Sequence, residues 1–131
     1  EQRPQGFGRV GKLPEPMSLK ECALYVKEAL SLNDVRLYGE PEQRVETAAV
    51  CTGSGKSMIP DALKKGAQVY ITGDIDHHTG IDATAQGLAV IDAGHYGTEY
   101  IFMDAMKKEL TQAFPELKIS CAEVKSPYTI L

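Results

Sequence analysis

AQVYITGDIDHHTGIDATAQGLAVIDAGHYGTE, residues 67–99, decides the fold. AQVYITGD is rich in β-branched and aromatic side chains and stops at Gly73 and Asp74, so it reads as a strand. GIDATAQG supplies one or two helical turns, and LAVIDAG a second strand ending at another glycine. Alternation of this kind favours a largely parallel sheet, with ligands gathering where loops leave the carboxyl ends of strands.

The same alternation continues outward in both directions. Downstream, YGTEYIFMDAMKKELTQAF predicts one long helix with Phe102, Met103, Met106, Leu110 and Phe114 near one face, and LKISCAEV predicts a closing strand. Upstream, RVETAAVC reads as a buried strand leading through TGSGKS into the short helix SMIPDALKKG, which Lys64, Lys65 and Gly66 close. Before that, PMSLKECALYVKEALSL opens with a capping box, Ser18 and Glu21, and places Leu19, Cys22, Ala23, Val26 and Leu30 on one face. The opening EQRPQGFGRVGKLPEP, full of glycine and proline, reads as a loop or arm over residues 1–17. The expected fold class is α/β: a largely parallel or mixed sheet with helices on both faces, in a single domain spanning residues 1–131.

The chain has 131 residues, 43% apolar and 24% charged, enough for one core without disulfides. Its net charge is −4 and its lysines and arginines are scattered, so nucleic acid is not an expected partner. Cys22, Cys51 and Cys121 are odd in number and lack a CxxC pair, which suits reduced thiols in the cytoplasm. Cys22 and Cys121 sit among apolar neighbours and are expected to be buried. No apolar run approaches the ~20 residues of a membrane span. The chain starts at Glu1 rather than methionine, as a segment of a longer protein would.

Three loops fall at predicted strand ends. A nucleotide-binding P-loop needs a glycine five positions before Gly55, where Val50 stands, so TGSGKS reads as a tight turn, with a looser anion site as the alternative. TGDIDHHTG gathers Asp74, Asp76, His77 and His78. In an extended segment the adjacent histidines would point to opposite sides and would not share one ion. In GHYGTE, His95 and Glu99 stand four apart, on one side of a helix. Imidazole plus carboxylate suits zinc, iron, manganese or nickel. On spacing alone, the polar start of an ordinary helix is the commoner arrangement.

Taken together, YITGDIDHHTGIDATAQGLAVIDAGHYGTE, the earlier GFGRVGKL and AAVCTGSG resemble, in order, the second half of the Nif-three-like family, also known as GTP cyclohydrolase I type 2 homologues. The resemblance covers nearly the whole chain. It implies one half of a two-lobed α/β fold built around two divalent metal ions and assembled as a homohexamer. It also implies that His95 and Glu99 are metal ligands, with the remaining ligands in an N-terminal half not contained in this sequence. Asp74 and His78 match the family's TGDxxxH segment and become candidates for orienting ligands or substrate. The expected function is a metal-dependent hydrolase; the alternative is a metal-binding adaptor acting as an oligomer.

Overall fold

The computed structural model describes residues 6–130. Five strands form one mixed sheet: β1 (Arg9–Ser18), β2 (Arg36–Tyr38), β3 (Arg44–Ser54), β4 (Val69–Gly73) and β5 (Ala89–Asp92), in the order β1-β3-β4-β5-β2. The central β3, β4 and β5 run parallel, while β1 and β2 close the two edges antiparallel. The carboxyl ends of the three parallel strands therefore emerge on one side of the molecule, carrying the three loops singled out above.

Alternation along the central strands feeds two cores. Val45, Val69, Ala89 and Ile91 face α1 (Leu19–Ala29), which buries Leu19, Cys22, Ala23 and Val26. Ala49, Tyr70 and Val90 face the other way, onto α2 (Ile59–Lys64) and α3 (His77–Ala85), which contribute Ile59, Ala62 and Ala83. Each large aliphatic side chain removed from water on either face is worth ~1.5–3 kcal/mol. The helices thus cover both faces, as the apolar runs implied. The start of α1 carries the expected capping box: Glu21 N–H donates to Ser18 Oγ, and Ser18 N–H donates to Glu21 Oε2 at 2.7 Å. The Ser18 N–H bond, with a second from the Ser18 hydroxyl to the same Oε2, holds the Glu21 carboxyl below its usual range.

Several expectations are corrected. Of residues 1–17, expected to be a loop or arm, residues 1–5 lie outside the described residues, and from Arg9 the chain is the long edge strand β1. Its prolines are compatible with a strand because they sit where the register with β3 shifts, between Lys12 and Met17. α3 begins earlier than GIDATAQG, at His77, because Asp76 caps it by accepting from the Thr79 N–H at 3.0 Å. The two histidines are thus helical, not extended. The single long C-terminal helix is instead two, α4 (His95–Glu99) and α5 (Phe102–Ala113). LKISCAEV is not a strand, since no neighbouring strand offers its backbone a ladder, and Cys121 is exposed rather than buried.

Candidate metal centre

His95 and Glu99 occupy the first and last positions of α4, whose entry is Gly94 at φ 72°. That left-handed turn is the reason a glycine ends the β5 run. One helical turn brings His95 Nε2 to 3.1 Å from Glu99 Oε2. The other ring nitrogen, Nδ1, lies 2.8 Å from Asp74 Oδ2. All three side chains are about half exposed. Asp74 reaches across from the end of β4 with its own backbone at φ 56°, a left-handed conformation that aspartate tolerates better than most side chains.

The hydrogen bond that Asp74 accepts from the ring is the main cause holding the His95 pKa above its ordinary value of 6.5. The negative charges of Glu99 and Asp74 add to it, and partial desolvation opposes it. A bond from Nδ1–H to a carboxylate also leaves Nε2 with a free lone pair on the side of Glu99.

The loop TGSGKS forms the floor beneath this pair. β3 runs through it to Ser54, Gly53 adopts φ 65°, and a short 3₁₀ turn at Lys56–Met58 leads into α2. A Cβ at Gly53 would sit 2.5 Å from Glu99 Oε1 and 3.1 Å from His95 Nε2, so the two donors close directly over a bare backbone. Gly53 N–H donates to the buried Thr98 Oγ1 at 2.9 Å, tying the loop to α4. From β4, Tyr70 OH donates to Gly55 O at 2.7 Å, and Thr72 Oγ1 accepts from Gly55 N–H at 3.1 Å. Burial pushes the Tyr70 phenol well above its usual range. The turn reading of this loop holds, but that reading overlooked what the turn supports.

The structure therefore brings together three of the four candidate residues, Asp74, His95 and Glu99. His78 stands apart: it lies exposed in the first turn of α3, its ring edge-on to His77 at a centroid distance of 5.3 Å. Among the described residues, no three histidine, cysteine, aspartate or glutamate side chains converge as a ligand set. Asp74 accounts for this, since it contacts the ring nitrogen that faces away from Glu99. The donors present still fit a divalent ion: a neutral imidazole nitrogen, an adjacent carboxylate, and a second carboxylate behind the ring.

The family model for Duf34/NIF3 (NGG1p interacting factor 3) matches residues 1–127. The chain belongs to the NIF3 family. Among its NIF3 relatives, a GTP cyclohydrolase 1 type 2 homolog of Bacillus subtilis is 45% identical over 113 residues, 85% of this chain and 30% of the relative. One from Clostridium acetobutylicum is 37% identical over 115 residues, 88% of this chain and 43% of the relative. The crystal structure of Staphylococcus aureus protein SA1388 matches with a TM-score of 0.89 at 30% identity, over 96% of this chain and 42% of that one. Reduced HcgD from Methanocaldococcus jannaschii matches with a TM-score of 0.66 at 32% identity, over 82% of this chain and 43% of that one. This NIF3 chain thus spans less than half the length of these relatives.

Proposed function

We propose that this chain contributes the His95–Glu99 half of a two-ion metal centre in a NIF3-family hydrolase. The observation that carries the reading is the 3.1 Å approach of His95 Nε2 to Glu99 Oε2, backed on Nδ1 by Asp74, at the carboxyl ends of the sheet's parallel strands. His95 would offer Nε2 to an ion, and Glu99 has two oxygens, enough to bridge a pair. Asp74 holds the imidazole in the tautomer that leaves Nε2 free. Zinc, iron, manganese or nickel ions, when bound, supply Lewis acidity toward a phosphoryl or ring-amidine centre and lower the pKa of water. The names of the curated relatives make the purine ring of GTP the substrate class to test first.

The further ligands belong, in this reading, to parts of the longer relatives beyond the stretch matched here, and the working assembly is a homohexamer. Exposed apolar side chains near α5, including Ile101, Phe102 and Phe114, suit a chain that packs against more protein. They also favour a second reading, a metal-binding adaptor whose assembly matters more than turnover. No helix is long and apolar enough to cross a membrane among the described residues.

Elemental analysis of the native-length protein, beside its His95→Ala and Glu99→Ala variants, tests the metal centre. Bound metal lost in both variants is the expected result; retention in both overturns the site. A hydrolase screen on the metal-loaded protein, with GTP among the substrates, separates the two readings. Turnover lost with the metal supports the hydrolase, and metal binding without turnover supports the adaptor.

A further inference from the structure

Asp92 ends β5, and its carboxylate is 1% exposed, yet it is not part of the His95–Glu99–Asp74 group. A buried carboxylate needs a donor for each oxygen. Asp92 takes its donors from both loops that form the site. Oδ1 accepts from Gly94 N–H at 2.9 Å, immediately before His95. Oδ2 accepts from Ile75 N–H at 2.9 Å, immediately after Asp74. Arg36, paired opposite Asp92 on the edge strand β2, donates to Oδ2 at 2.6 Å and balances its charge.

The position of these bonds matters more than their number. The backbone ladder between β4 and β5 ends where Ala93 N–H donates to Thr72 O. Beyond it the loops meet through glycine: a Cβ on Gly73 would lie 2.5 Å from the carbonyl carbon of Gly94. Asp74 then turns at φ 56°, a conformation that aspartate adopts more readily than most side chains and that a fixed neighbour helps to hold. That neighbour is Ile75, whose side chain is buried in the core and whose carbonyl accepts from Tyr38 OH, while Asp92 holds its N–H, the end nearest Asp74.

His95 has carboxylates on both ring nitrogens, Asp74 at 2.8 Å from Nδ1 and Glu99 at 3.1 Å from Nε2. A neutral imidazole has one proton for the two of them. If it sits on Nδ1, Nε2 is free for an ion; if it sits on Nε2, the lone pair is blocked. We propose that Asp92 is a positioning residue that selects the Nδ1–H tautomer of His95, by clamping the Asp74 and His95 loops to each other. Its consequence for metal rests on the reading of His95 as a ligand, whereas the clamp and the tautomer do not.

The test is the His95 tautomer, read from the ring ¹⁵N shifts of this chain without metal at alkaline pH, where the ring is neutral. The unsubstituted chain should show Nδ1–H. Asp92→Asn turns an amide NH₂ toward one of the backbone donors, and should move the proton toward Nε2, in the same direction as Asp74→Asn. A loss of packing alone would also drift toward Nε2–H, the commoner tautomer of a free histidine. The shift therefore counts only where the amide spectrum shows β4, β5 and α4 intact and the His95–Glu99 contact kept. In the native-length protein, Asp92→Asn should weaken zinc binding by about 10–100-fold, the range for groups that orient ligands. An unsubstituted chain with Nε2–H, or a folded Asp92→Asn chain that keeps Nδ1–H, overturns the proposal. Zinc binding absent from the parent protein sinks the ligand reading, and the tautomer still decides the clamp. If Asp92→Asn does not fold, amide exchange in the unsubstituted chain decides it. Ile75 and Gly94 should exchange as slowly as Ala93, and fast exchange at either refutes the clamp.

Discussion

Replacing Gly53 by alanine separates backbone cost from damage to the site, because Gly66 provides a matched control. Gly53 and Gly66 both sit in the left-handed region, at φ 65° and 75°. A side chain there costs on the order of 1–2 kcal/mol at either position. For 131 residues that corresponds to a fall in Tm of roughly 4–7 °C. The surroundings differ: a Cβ at Gly66 meets nothing within 4 Å, while one at Gly53 lands 2.5 Å from Glu99 Oε1 and 3.1 Å from His95 Nε2. The Glu99 carboxylate ends a flexible side chain, so it can swing clear at little cost in stability. In doing so it leaves the place where it meets His95. Thermal unfolding should therefore show similar losses for Gly53→Ala and Gly66→Ala. Ring resonances of His95 should shift in Gly53→Ala alone, as should metal content in the native-length protein. An unshifted His95 in Gly53→Ala, or an equal shift in Gly66→Ala, would refute the packing on which the candidate centre rests.

Two further outcomes follow from the same geometry. Because Asp74 raises the folded pKa of His95 above 6.5, the stabilisation from this pair is complete below pH 6.5 and is lost as pH rises through the folded value. Asp74→Asn should lower the NMR-detected pKa of His95 and flatten that part of the urea-unfolding profile; titration of the parent at or below 6.5 would contradict the contact. In α3, a Cβ on Gly80 would run into the ring of Tyr38, itself fixed by its hydroxyl bond to Ile75 O at 3.1 Å. Gly80→Ala should thus cost about 1–3 kcal/mol by overpacking, and Gly80→Ala with Tyr38→Leu should recover part of it in denaturant melts.

The elements that were legible in the sequence bury whole runs. AQVYITG and LAVID show their strands directly, because residues on both faces of a parallel strand are apolar. α1 shows itself through its cap and its stripe. β2 was missed because three residues, Arg36–Tyr38, are too few to carry a period, and β1 because its two prolines and one glycine look like loop chemistry. LKISCAEV shows the opposite failure, a strand pattern with no strand beside it. For the site, the contact of His95 with Glu99 could be read from spacing, since one helical turn sets it. The contact of His95 with Asp74 spans 21 positions and depends on two parallel strands ending level. The family resemblance placed Asp74 near the site, but no local pattern could say which ring nitrogen it would meet. Gly53 was hidden for the same reason, as its role depends on a side chain 46 positions later.

The edge strand β2 has a consequence for the order of events during folding. It precedes β3 in the chain yet pairs only with β5, on the far side of β3 and β4. β2 therefore has no strand to join until β5 reaches it, and the facing residues Arg36 and Asp92 are 56 positions apart. Such non-local pairing is slow, because loop closure comes before any contact rewards it. The guanidinium of Arg36 travels with β2. The Asp92 carboxylate therefore has its counter-charge only through this long-range pairing, so the buried charge beside the His95 loop depends on the far edge of the sheet being closed.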